Sequence, residues 1–303
     1  MQSMTISAFT PVTAGQQIIL PDGRRLGFSE YGIRAGIPIF YFHGCPGSRL
    51  DALLAEPVAR RFGVRLIALD RPGFGLSDYQ EKRTIGKWPF DVSFLADALA
   101  IGRFAVLGVS GGGPYAAACA SLIPHRLTAA GIVCGIAPPD MPEPGRGMAW
   151  RIRAALFLGR HAPLSMRLIC GAIGWYLVHF PERALTIITA VACPADKEVL
   201  SGQPTRSIIA YSFKEAVRNG SSGVMQDLYL LTHPWGFRLE TIPIMVQLWQ
   251  GELDVTVPSR MARHLVGLIP GCKVTYYPRD GHFSLPVNHM DEIIQGLIPT
   301  GSF

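Results

Sequence analysis

No C-x-x-C pair occurs among the 6 cysteines of the chain. Cys45, Cys119, Cys134, Cys170, Cys193 and Cys272 are scattered, most of them in apolar surroundings. That distribution lacks zinc and redox spacings and reads as buried free thiols of a cytoplasmic protein. No cofactor and no metal is expected. Basic runs are also missing. The densest spots are Arg24-Arg25, Arg60-Arg61 and the pair Arg151 and Arg153, and the net charge of +6 is spread along the chain. Without interleaved aromatics, such short clusters argue against nucleic acid as a partner. No apolar stretch reaches the roughly 20 residues a bilayer demands. Leu168 to Pro181 is uncharged but short, and it contains His179, so no transmembrane segment is expected despite a mean hydropathy of +0.25. Met1 to Gly15 has neither a basic start nor a sustained apolar core, so no secretory leader is expected. The 33 Gly and 24 Pro follow no triplet period, which excludes collagen. Internal repeats and low-complexity tracts are absent.

What remains is a chain of 303 residues, 49% hydrophobic and 17% charged, long enough to bury a substantial core. Its first third alternates short apolar runs with helical patterns. Gln17–Leu20 and Arg25–Tyr31 flank the turn Pro21-Asp22-Gly23. Strands are then expected at Ile37–Phe42, Val64–Leu69, Phe104–Val109 and Leu127–Gly135. Helices are expected at Leu50–Phe62, Pro89–Ala98 and Gly112–Leu122. Such alternation predicts an α/β fold with a mostly parallel central sheet flanked by helices.

From Pro138 to about Arg238 the strand signal stops. Amphipathic helices are expected at Met148–Leu158, Leu164–Phe180, Ala184–Val191, Ile208–Val217 and Val224–Leu231. Strands return at Pro243–Trp249 and Cys272–Tyr277, with helices at Arg260–Leu268 and Met290–Leu297. The chain therefore divides into a core (1–137), a helical insert (138–238) and the remainder of the core (239–303).

The chemistry gathers where predicted strands end. Gly108-Val109-Ser110-Gly111-Gly112 lies directly between a strand and a helix. G-x-S-x-G alone is weak. In this context it describes a serine on a sharp turn, with small neighbours letting strand and helix approach. Gly113, Ala116, Ala117, Ala118 and Ala120 extend that small-residue packing. A serine hydroxyl needs a base, and the base needs an orienting acid. Of eight histidines, His282 in Asp280-Gly281-His282-Phe283 follows the last strand immediately. His264, His289, His125, His161, His179 and His233 are less well placed. Asp254, in the loop after Pro243–Trp249, is the first choice of acid, with Glu252 and Asp140 as rivals. His43-Gly44-Cys45-Pro46-Gly47-Ser48 follows another strand. The backbone N–H groups of Cys45 and Gly111 would form an oxyanion hole; a nucleophilic Cys45 thiol is the weaker reading. Asp70 to Asp78 forms a rigid glycine-rich loop with no G-K-[ST] to bind phosphate. Trp150, Phe157, Trp175, Tyr176, Phe180, Met225 and Trp235 are candidates for lining a pocket, as is Phe283 beside the histidine.

The blocks HGCPGS, DRPGFGLSD, GVSGGG, GELDVTVP and DGHFSL, in that order, resemble the motifs of α/β-hydrolase-fold serine hydrolases over residues 17–300, the insert excepted. The resemblance implies a triad of Ser110, Asp254 and His282, and an insert that forms a helical cap after the sixth core strand. Ser110 stands where the family's dehalogenases and epoxide hydrolases carry an aspartate. The expected activity is hydrolysis of carboxylic esters with small to medium hydrophobic acyl groups. A lactonase, a carbon–carbon bond hydrolase, a proline iminopeptidase-like peptidase and a receptor-like ligand binder remain open on the same residues. Gly111, where such peptidases carry an aromatic, weighs against the peptidase. Peripheral attachment to a membrane through the apolar insert is a further alternative.

Overall fold

The computed structural model describes residues 15–298. The reading of Met1 to Gly15 as lacking a leader therefore falls, but for Gly15, outside the described residues. Eight strands form one sheet: β1 (Gln16–Ile19), β2 (Arg25–Gly32), β3 (Ile37–Phe42), β4 (Val64–Leu69), β5 (Phe104–Val109), β6 (Leu127–Val133), β7 (Val246–Gly251) and β8 (Lys273–Tyr277). Their spatial order is β1-β2-β4-β3-β5-β6-β7-β8. Among the described residues the β1–β2 and β2–β4 pairs are antiparallel and the others parallel.

The central strands read as continuous apolar runs because both faces are covered. Phe40, Phe42, Ile67, Leu69 and Val106 point to one side, where α2 (Trp88–Ala98), α3 (Gly113–Leu122) and α10 (Ser259–Leu268) pack. Ile39, Tyr41, Leu66, Ala68 and Leu107 point to the other side, against α1 (Glu56–Arg61) and α12 (Met290–Leu297). The two-residue period of a strand divides its side chains in this way.

Between β6 and β7 the chain forms α4 (Trp150–His161), α5 (Pro163–His179), α6 (Pro181–Ile188), α7 (Pro194–Ser201), α8 (Thr205–Ala216) and α9 (Ser222–Leu231). These helices share a small core of their own, including Leu177, Leu185, Leu200, Phe213 and Val217, into which Phe74 of the core loop inserts. The uncharged run from Leu168 lies mostly in α5, and among the described residues no helix is long and apolar enough to cross a membrane.

Several boundaries differ from expectation for identifiable reasons. The single helix expected over Leu50–Phe62 is a 3-10 helix, Arg49–Ala55, followed by α1. Pro57 has no N–H to bond back to the preceding turn, and the Glu56 N–H bonds to the Leu53 carbonyl instead. Strand β6 ends before Cys134, whose φ of 46° leaves the extended region. Strand β7 runs on to Gly251 because Gln250 and Gly251 pair with Tyr276 and Tyr277. Helix α7 and the five-residue α11 (Ser284–Asn288) were not expected. The five-residue α11 is too short to show a helical period in sequence, and α7 carries only Val199 and Leu200 as large apolar residues.

Candidate active site

Strand β3 has β4 on one side and β5 on the other, so chain connections leave β3 in opposite directions. That reversal opens a crevice at the carboxyl ends of β3 and β5. His43-Gly44-Cys45 leaves β3 there and Ser110 leaves β5. Ser110 has a φ of 55°, strained for any residue but glycine, and this lifts its hydroxyl out of the sheet. The strain is held by close approach. A Cβ at Gly108 would strike the Gly112 carbonyl, and one at Gly112 would strike the Phe42 carbonyl. The tight turn thus demands glycine on both sides of the serine.

His282 and Asp254 leave the ends of β8 and β7 and converge on this turn. The Ser110 hydroxyl lies 2.9 Å from His282 Nε2, and His282 Nδ1 lies 2.7 Å from Asp254 Oδ2. A carboxylate only accepts, so the Nδ1–H donates to Asp254 and Nε2 is left to accept from the serine. Asp254 is 3% exposed, and its Oδ1 accepts the N–H groups of Thr256 and Val257 at 2.8 Å each. Burial alone would lower the His282 pKa. The charge and hydrogen bond of Asp254, with the charge of Asp196, outweigh burial and hold it above its ordinary value.

The rival acids are elsewhere. Glu252 accepts from Arg263 and Ser259 at the surface, and Asp140 is exposed beyond β6. Gly111 and Cys45 face each other across the turn: a Cβ on Gly111 would lie 3.4 Å from the Cys45 backbone nitrogen. Burial pushes the Cys45 thiol well above its usual range, so it stays protonated. All six cysteines are free thiols. Cys134 lies with Asp254 and His282 in a cluster whose ligand atoms fall within 4.8 Å. Those two residues are already engaged with each other, and burial holds the Cys134 thiol neutral, which makes a poor donor set for a metal.

A cavity of about 420 Å³ opens above Ser110 and His282. Its walls are overwhelmingly aliphatic. The insert contributes Leu156 from α4, Met166, Cys170 and Leu177 from α5, and Ile209 from α8. Phe283 lines it as expected, edge-on to the His282 ring with centroids 5.4 Å apart. The other aromatic candidates do not line it. Trp150 and Trp175 are 70% and 58% exposed, on the outward faces of α4 and α5. Phe157 and Phe180 are also exposed, Tyr176 and Met225 lie off the cavity wall, and Trp235 is buried in the main core. The correction has a physical reason: the inward faces of these helices carry Leu, Ile and Met, and their large rings fall on other sides. Asp51 is the acidic exception in the wall. Burial raises its carboxyl to about 7 against hydrogen bonding from Ser212 and the Gly44 amide, and its Oδ1 has no partner.

Three further polar groups hold the site and escaped sequence reasoning. Asp196 of α7 is fully buried; its Oδ2 accepts the His282 N–H at 3.0 Å, and its Oδ1 accepts those of Phe283 and Ser284 at 2.8 Å. The insert thereby grips the loop that carries the histidine. Arg71 is buried completely and donates to the carbonyls of His43 and Gly44 and to Asp227 of α9. Asp227 also accepts from Arg83 and Tyr115. Burial would raise its carboxyl, but the two guanidinium charges and the Tyr115 hydrogen bond bring it down to about 2. The Asp70 loop is likewise consumed internally, Asp70 accepting from Arg49 and from the Leu76 N–H.

The profile of the alpha/beta hydrolase family matches residues 39–295. A non-heme chloroperoxidase from Streptomyces lividans is 32% identical over 119 residues, which cover 39% of this chain and 43% of that protein. The match thus spans less than half the length of that relative. A solved structure of a hydrolase from Pseudomonas aeruginosa PA01 superposes with a TM-score of 0.68 at 16% identity, covering 94% of this chain and 98% of that one. An esterase from Exiguobacterium antarcticum gives 0.66 at 18% identity, covering 93% and 97%. At these identities the structural likeness speaks for the fold.

Proposed function

Because the chain belongs to the alpha/beta hydrolase family, we propose that it is a serine hydrolase of carboxylic esters with small to medium hydrophobic acyl groups. The observation that carries the reading is the hydrogen-bonded series Ser110–His282–Asp254 beneath an aliphatic cavity. Ser110 attacks the ester carbonyl while His282 Nε2 takes its proton. Asp254 holds the Nδ1–H tautomer and stabilises the imidazolium. The N–H groups of Cys45 and Gly111 receive the oxyanion of the tetrahedral intermediate. His282 then protonates the leaving alcohol. Water, activated by the same imidazole, releases the acid and restores Ser110.

Residues 138–238 serve in this reading as a cap that roofs the acyl pocket and excludes water. Six free thiols favour a reducing, cytoplasmic setting. The test is labelling by a fluorophosphonate together with turnover of p-nitrophenyl esters of graded chain length. Wild-type protein should label and cleave, and Ser110→Ala should do neither, with a loss of several decades in kcat. Near-native turnover by Ser110→Ala removes the mechanism. Ligand binding without labelling of the wild type would favour a receptor-like role.

A further inference from the structure

Helix α5 is apolar on two opposite sides. Its inward side, Met166, Cys170, Ile173 and Leu177, lines the cavity. Its outward side repeats at steps of four and three residues, through Leu164, Leu168, Gly171, Trp175 and Val178. Such steps return to one face of a helix. That face is bare: Leu164 is 80% exposed, Leu168 77% and Trp175 58%. Helix α4, packed beside α5, exposes Trp150 and Phe157 two turns apart. Single exposed apolar residues are ordinary, but rows of them on adjoining helices mark an interaction surface.

The charge around this face selects the occupant. From Pro144 to Pro181 there is no acidic residue, while Arg151, Arg153, Arg160 and Arg167 are all exposed; Arg146, before α4, is paired with Glu143. A second copy applied by a two-fold axis would set arginine against arginine with no carboxylate on the face to offset them. An anionic lipid surface meets both demands, offering hydrocarbon to Leu164, Leu168 and Trp175 and phosphate oxygens to the arginines. Trp175, stacked on His179 with centroids 4.6 Å apart, has the amphipathic character of an interfacial anchor.

The opening of the cavity is shared by the same two helices and α6. Arg151, Ile173 and Ile187 are exposed and also line the cavity, so they form its rim. We infer that the outer face of α4 and α5 docks on an anionic membrane surface, and that the substrate is an acyl ester dissolved in that membrane, entering past Arg151, Ile173 and Ile187. The substrate part rests on the hydrolase reading; the docking part does not.

The experiment separates the two. Full-length wild type, Ser110→Ala and Leu164→Ser/Leu168→Ser are spun with vesicles of phosphatidylcholine, with and without phosphatidylglycerol. Wild type and Ser110→Ala should sediment with the anionic vesicles, and less so as salt rises. The double leucine variant should bind at least about tenfold more weakly. It should cleave a water-soluble short ester like wild type but lose rate on a long-chain ester presented in vesicles. Protein that stays in the supernatant with both vesicle types overturns the inference. So does equal binding by the leucine variant, or a dimer that the leucine substitutions abolish. Vesicle binding by a protein that cleaves neither ester upholds the docking and sinks the hydrolase reading instead.

Discussion

In the proposed mechanism His282 is a base only while its Nε2 lone pair is free. Because Asp254 and Asp196 raise its pKa above the ordinary 6.5, kcat/KM should climb with pH through an inflection above that value. Asp196→Asn removes one of the two charges that favour the imidazolium. The inflection should then move to lower pH, and kcat should fall roughly ten- to hundredfold as the histidine loop loosens. Stopped assays across pH read both effects. An unchanged inflection would mean that Asp196 fixes geometry alone. Cys45→Ala makes the opposite prediction. If the backbone N–H of that residue is what the proposed reaction uses, turnover of the p-nitrophenyl esters should remain near wild type, and thiol reagents should not inactivate the protein; collapse of turnover would return the thiol to consideration. The meeting of Ser110, Asp254 and His282 was legible in sequence because each lies in the loop or turn after a strand, at the end where a parallel sheet gathers its loops. Asp196 was not. It accepts the N–H groups of residues 86 to 88 positions away, and a carboxylate that pairs with distant backbone leaves no local pattern.

At the level of elements, α9 is tied to the loop after β4 by charge rather than by apolar packing alone. Asp227 stands between the buried guanidinium groups of Arg71 and Arg83, and Arg71 in turn holds the carbonyls of His43 and Gly44. Asp227→Ala strands two buried cations. It should cost about 3–5 kcal/mol in chemical denaturation, and it should slow turnover as well by freeing the loop that carries the Cys45 N–H. The depressed pKa of Asp227 adds stability that is fully present above the ordinary carboxylate value of 3.8 and is lost as pH falls through about 2. Below pH 4 the gap in stability between wild type and variant should therefore narrow; a constant gap would mean that charge is not what Asp227 supplies. The strands were readable from their apolar runs, and the insert from the loss of those runs. The orientation of the insert's helices was not readable. Helices α4 and α5 are apolar on more than one side, so composition could not show that Leu156 and Met166 face the cavity while Trp150 and Trp175 face outward.

On the scale of the whole molecule, insert and core are joined through polar groups that are buried or, at Glu215, mostly so. Asp196 reaches the His282 loop, Asp227 reaches Arg71 and Arg83, Glu215 reaches Arg49, and Ser212 bonds Ser48. Opening the seam by unfolding the insert alone would leave Arg71 and Arg83 without their carboxylate and the His282 loop without its acceptor. Such unpaired buried groups cost more than exposed ones gain. The chain should therefore lose both parts together. Trp150 and Trp175 report on the insert, whereas Trp88 and Trp249 are buried in the core. Single-tryptophan variants retaining Trp175 or Trp249 should show urea transitions with the same midpoint, coincident with the loss of whatever p-nitrophenyl ester turnover the wild type shows. A Trp175 transition well below that of Trp249 would mean that the insert opens independently. The buried ion pairs would then be too weak to couple the pocket's roof to the chemistry beneath it.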